Sequence, residues 1–295
     1  MCVALVLTGC LSAAQVTDNL PVVTTLLPAL VSTTAIEDGA TYSRDRNTLI
    51  FTRRSGQWGA GQSPGTLYET HKTGRQWSSP KPLPFSGIHD DADPFLSPDG
   101  QRLFFTSNRP AADKTGMEHD IWWVGRTADG WGIPEHLGQP VSSTGREYSP
   151  VITAEGTLYF ASTRNGGFGQ GDLYVARRIK TGYSVPKNLG PVINSPAGEW
   201  NVFVSADEHL LIFEASGRPG NRSPAGDLYI SYRQRGKWTP PLALDAINSK
   251  ESELNARLSP DGAVLLFSRS VREPDGHRHA DVFTVPAAAA LPNPE

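Results

Sequence analysis

Cysteine is nearly missing from this 295-residue chain: Cys2 and Cys10 are the only two, both inside the first ten residues. That excludes a disulfide framework or a cysteine-based zinc site in the domain that follows. No apolar run reaches the roughly 18 residues that a membrane-spanning helix needs. There is also no block of Lys or Arg, and the net charge is only -3. Nucleic acid is therefore not an expected partner, because the basic footprint it requires is absent. No Gly-x-Ser-x-Gly elbow, His-Glu-x-x-His pair or Gly-x-x-x-x-Gly-Lys loop occurs, so serine-hydrolase, zincin and P-loop chemistry have no support. No cofactor is implied.

What the chain has in excess is turn residues. Its 29 Gly and 24 Pro make about 18% of the sequence, above the usual share of roughly 12% but short of a disordered composition. The first residues differ from the rest. Cys2-Val-Ala-Leu-Val-Leu-Thr-Gly9 is a short apolar run, and Leu7-Thr8-Gly9-Cys10 resembles the lipobox of bacterial lipoproteins. In that family the cysteine is acylated and everything before it is removed, which would make Cys10 the lipidation site. The alternatives are a cleaved secretory signal ending near Ser12-Ala13-Ala14 and a frayed terminus.

Five internal repeats organise everything after this segment. An acidic residue recurs six positions before a Ser or Thr: Glu37 before Ser43, Asp91 before Ser97, Glu147 before Thr153, Glu199 before Ser205, Glu253 before Ser259. The acids lie 54, 56, 52 and 54 residues apart. A turn follows each hydroxyl residue, Pro-Asp-Gly in two cases, and then an apolar run ends in Phe51, Phe105, Phe160, Phe213 or Phe267. Apolar segments flanking such turns predict hairpins. A third strand opens at Thr66, Asp120, Asp172, Asp227 and Asp281. A fourth carries an aromatic residue, Pro three later and Leu six later, as in Trp77/Pro80/Leu83 and Trp238/Pro241/Leu244. Proline suits an outer edge, where not every backbone N–H is needed.

The fifth repeat lacks this fourth strand. Leu27 to Glu37 has the same ten-residue interval as Leu137 to Glu147, so the N-terminal segment is expected to complete the last unit and close a ring. The fold class predicted is all-β, a five-bladed β-propeller of four-stranded antiparallel blades. The expected divisions are a signal and tether over 1–20, one propeller over 21–286 and a disordered tail over 287–295.

Asp91-Ala-Asp-Pro-Phe-Leu-Ser-Pro-Asp-Gly100, followed by Leu103-Phe-Phe-Thr-Ser-Asn-Arg109 and Asp120-Ile-Trp122, resembles the WD40-like repeat of the TolB type. The likeness covers about residues 37–285. It implies the propeller fold, but not one function, since the family includes envelope scaffolds, sugar-active enzymes and propeller domains of peptidases. TolB itself carries an additional N-terminal domain for which this chain has no room.

Propeller geometry places the five repeated acids near the axis, on the face that carries the loops between second and third strands. Arg53, Arg54, Arg109, Arg164, Arg218, Arg269 and Arg272 lie near the ends of the second strands, so the expectation is pairing of acid with Arg. The aspartates opening the third strands are expected to compete for the same guanidinium groups. Glycoside hydrolysis needs two carboxylates, and Asp91, Glu147 and Glu199 are the candidates if the chain is an enzyme. His89, Asp90 and Asp93 form a weak candidate cation cluster. His277 and His279 are a weaker metal pair. Asn165-Gly-Gly-Phe-Gly-Gln-Gly171 reads as a mobile connection between strands. Trp58 and Phe168 at loop tips, with Arg109, Arg164 and Arg218, are the candidate binding residues.

The reading reached is a non-catalytic binding or scaffolding propeller of the bacterial periplasm. It is expected to be monomeric and held at the outer rather than the inner membrane through its lipid anchor only. Its partner is an envelope protein or a glycan. The alternative is a carbohydrate-active enzyme, hydrolase or lyase, on the same fold.

Overall fold

A computed structural model describes residues 21–57, 62–112 and 116–293. In four of the five repeats the chain turns back after the inner strand through a turn capped by a Ser side chain. Ser43, Ser97, Ser205 and Ser259 each donate Oγ–H to the Asp two residues later, at 2.5–2.6 Å. Third repeat aside, every turn uses this device. In the Pro-Asp-Gly turns the last residue, Gly100 or Gly262, has a positive φ of 71° or 69°, which only glycine adopts without strain.

The result is all-β, with five four-stranded antiparallel blades arranged as a β-propeller. The inner strands are Ile36–Tyr42, Asp91–Leu96, Glu147–Ile152, Gly198–Val204 and Glu253–Leu258. The predicted fourth strands are each broken in two by their proline. Gln76–Trp77 and Lys81–Pro82, for example, both pair with Thr66–Thr73. Proline has no N–H to give the ladder, so pairing resumes only after it.

Ring closure rests on two residues of regular strand. Thr24 and Thr25 pair antiparallel with Thr284 and Phe283, and Leu26 N donates to Val282 O at 2.8 Å. The last blade thereby gains its outer strand, and its edge is covered. The tail departs from expectation. Ala287–Ala290 form a helical turn with Ala287 and Ala290 buried, and Tyr232 Oη donates to Pro292 O. Alanine favours the helix and presents a face small enough to pack.

The core lies between blades, where Phe51, Phe105, Phe160, Phe213 and Phe267 are fully buried. Every inner strand carries a bulge two residues after the repeated acid. There the register shifts, and Gly39, Asp93, Ser149, Asn201 and Asn255 have φ of 47–56°. Bulges re-aim side chains, and these bring polar groups of neighbouring blades together around the axis. Among the described residues no helix is long and apolar enough to cross a membrane.

Candidate functional site at the axis

The five repeated acids are 0% exposed, and each sits in the same clamp. Arg53, Arg109, Arg164, Arg218 and Arg269 reach Glu37, Asp91, Glu147, Glu199 and Glu253 at 2.6–3.1 Å. Four of the carboxylates also accept the hydroxyl and backbone N–H of a Ser or Thr four residues earlier: Thr33, Ser143, Ser195 and Ser249. Asp91 instead accepts from Ser86 and Ser107. Each Arg further donates to a backbone carbonyl in the segment entering its inner strand, such as Val31, Phe85 or Ile247. It also lies over an aromatic pair, as Arg218 lies 5.1 Å and 5.2 Å from the rings of Phe213 and Tyr229. Burial pushes the carboxyls of Glu37, Glu147, Glu199 and Glu253 upward, while the clamp's donors and Arg pull them down. A carboxylate with its lone pairs filled and its charge compensated is architecture.

Among the described residues Asp172, Asp227 and Asp281 form no ion pair with these guanidinium groups, contrary to expectation. Asp172 accepts the backbone N–H of Phe168 and Gly169, and Asp227 those of Arg222 and Ser223. Asp120 and Asp281 meet His136 and His279. A short side chain at the strand start is closest to its own loop, and the loop's free N–H groups take it first. The Gly-rich segment 165–171 is consequently tied back to the blade by backbone hydrogen bonds. Gln170 N donates to Ala197 O, and a Cβ on Gly169 would lie 1.7 Å from that same oxygen.

The mouth of the axis, on the same face, breaks the five-fold pattern. At the position after each repeated acid stand Asp38, Ala92, Tyr148, Trp200 and Leu254. Tyr148 and Trp200, both half-buried, meet edge to face at 6.2 Å, and the His119 ring lies 5.5 Å from Tyr148. These three rings form an arc across blades two to four. Beside it Arg54 bonds Asp90 and lies 3.8 Å from Asp38, while His119 Nε2 meets Asp90 at 3.1 Å. Against the desolvation of burial, His119, Arg54 and the Gly65 N–H hold the Asp90 carboxyl well below the usual range. Burial pushes Asp38 up to about 6, against the pull of Arg54.

Below the mouth, the bulge residues make a polar belt. Asp93 accepts from Thr106 Oγ1 and Ser149 N, Ser149 Oγ donates to Asn201, and Asn201 donates to Glu214. Glu214 has no Arg partner among the described residues, and burial pushes it up to about 8. Arg257, 1% exposed, donates to Val202 O and lies 5.7 Å from the Phe95 ring across the axis. Its Nε and Nη2, with Asn255 Oδ1 and Asp38 Oδ1, find no partner among the described residues.

The structure thus separates the residues the sequence singles out. Asp91, Glu147 and Glu199 are enclosed in clamps, as are Arg109, Arg164 and Arg218. Asp90 and Asp93 belong to the axial site, through different partners, and His89 is half-buried beside the exposed Ile88. Phe168 is 48% exposed on a loop bonded to Asp172. Trp58 and Cys10 lie outside the described residues. Sequence reasoning missed Asp38, Tyr148, Trp200, Asn201, Glu214 and Arg257. The available signal was departure from the repeat at fixed offsets from each acid.

No family model and no curated protein matches the sequence. Solved structures match in fold. A putative TolB from Agrobacterium tumefaciens is 15% identical, over 86% of this chain and 92% of that one, with a TM-score of 0.54. A glycoside hydrolase is 13% identical over 94% of both chains, with a TM-score of 0.55. The endo-arabinase from Bacteroides thetaiotaomicron VPI-5482 is 13% identical over 89% and 97%, with a TM-score of 0.53. At such identities the likeness establishes the propeller alone.

Proposed function

We propose that this chain is a non-catalytic binding propeller of the bacterial cell envelope that takes a glycan at the mouth of its axis. One observation carries the reading. On a face whose repeated acids are all enclosed, the symmetry breaks into an arc of half-buried rings, His119, Tyr148 and Trp200, beside the hydrogen-bonding groups of Arg54 and Asp90. Aromatic faces stack on the apolar faces of sugar rings, and adjacent charged groups take the hydroxyls. Placement in the envelope rests on the lipobox-like Leu7-Thr8-Gly9-Cys10. Replacing Cys10 by Ser is expected to move the protein from the membrane to the soluble fraction, and unchanged fractionation would remove the lipid anchor from the account.

A second reading, a carbohydrate-active enzyme, is favoured by Asp38 and Glu214. Both are off-pattern carboxyls of the axial site raised by burial, and perturbed acids at one site are a catalytic signature. A panel of neutral and acidic oligosaccharides, assayed for both binding and turnover, separates the two. The binding reading expects association without hydrolysis. Turnover that disappears in Glu214→Gln, with the fold intact, would replace it by the enzymatic one.

A further inference from the structure

A second recognition site lies away from the axis, in the cleft between the outer strands of blades two and three. A cavity of about 240 Å³ opens there. Two guanidinium groups line it. Arg102 lies 5.2 Å from the Trp123 ring, and Arg178 lies 5.4 Å from the ring of Tyr183. The buried Phe104 and Tyr183 form part of the wall, and no Asp or Glu is among the lining residues. Neither Arg forms an ion pair among the described residues. Asp99, the carboxylate nearest Arg102 in sequence, takes its hydrogen bonds from Ser97 Oγ at 2.5 Å and Gln101 N at 3.0 Å, and Arg102 acts on it only through its charge. The third cationic candidate, His136, is already engaged by Asp120 and Ser142.

Two exposed guanidinium groups, each over an aromatic ring, thus face one cavity whose lining carries no carboxylate. Their planar donor forks match the oxygens of a carboxylate or phosphate, and stacking pre-organises them for it. At roughly 30 Å³ per water the cavity has room for about eight waters, the scale of a single sugar ring. We infer that this cleft binds an oxyanion carried on a monosaccharide-sized body, with Arg102 and Arg178 holding the anionic group between them. The shared chemistry admits two sources, a uronic acid carboxylate and a sugar phosphate. The site is independent of the axial arc.

The test is titration of the full chain with three probes at low ionic strength: methyl glucuronide, glucose 6-phosphate and uncharged methyl glucoside. The cleft predicts binding of at least one anionic probe and none of methyl glucoside. Arg102→Gln and Arg178→Gln should each weaken it at least tenfold, and Tyr148→Leu should leave it unchanged. The stronger of the two anionic probes identifies the source. Both Arg side chains are exposed, so unchanged thermal melts of the two variants exclude misfolding as the cause. Equal binding of all three probes, no binding of any, or anion binding that survives both Arg substitutions would overturn the inference.

Discussion

Two glutamates of blade four show how burial alone does not decide what a carboxylate does. Glu199 has Ser195, its N–H and Arg218 around it. Removing it as Glu199→Ala leaves these donors unmatched in the interior, and a stability loss of about 1–3 kcal/mol is expected on chemical denaturation. Glu214 has Asn201 and no cation among the described residues, and burial pushes it up to about 8. An acid raised from its ordinary value of 4.5 keeps its proton in the folded state after the unfolded chain has released it. Its stabilising effect is therefore complete below about pH 4.5 and is lost as pH rises toward 8. Glu214→Gln removes that slope: relative to wild type the variant should gain stability steadily between pH 5 and 8. A difference independent of pH would show that Glu214 is not held protonated. The clamp acids were legible in the sequence because they recur. Their arginines were less so, since Arg53 and Arg269 sit directly opposite the acid, whereas Arg109 and Arg164 come two residues beyond the paired Ser and Arg218 three beyond the paired Ala. Asp38 escaped notice beside Glu37, and Glu214 because it follows an apolar run.

At the scale of elements, the blades follow from turn chemistry and alternation, and closure follows from a segment more than 250 residues from its partner strand. That strand is short, so its contribution depends on few atoms. Leu26 is buried and its N–H bonds Val282 O. Leu26→Pro removes both the side chain and the donor, with an expected loss of about 2–5 kcal/mol and concentration-dependent aggregation through the opened edge. Leu26→Ala, which retains the N–H, should lose stability without the same aggregation, and light scattering during thermal melts distinguishes them. The interval between Leu27 and Glu37 was enough to predict this closure, because repeat spacing is a property of the sequence. The split fourth strands and the helical turn at Ala287–Ala290 were not legible. Both depend on which backbone groups find partners in the assembled blade, and spacing carries no information about that.

Over the whole molecule the five-fold pattern and the departures from it have different work. The pattern supplies a closed ring whose clamps tie each second strand to the segment entering its own inner strand. The departures gather at the mouth of the axis, where no repeat unit constrains them. Neighbouring residues on one inner strand embody the contrast: Glu147 is enclosed in its clamp, and Tyr148 contributes the middle ring of the aromatic arc. The most direct measurement therefore pairs a thermal melt with a glycan dissociation constant for Glu147→Ala and Tyr148→Leu in the otherwise intact chain. Glu147→Ala should melt earlier and, below its melting temperature, bind as wild type does. Tyr148→Leu, which keeps an apolar side chain in place, should melt as wild type does and bind at least tenfold more weakly, a loss of about 1.4 kcal/mol. Binding that fails in Glu147→Ala but persists in Tyr148→Leu would contradict the account, because the site would then lie in the ring of acids themselves.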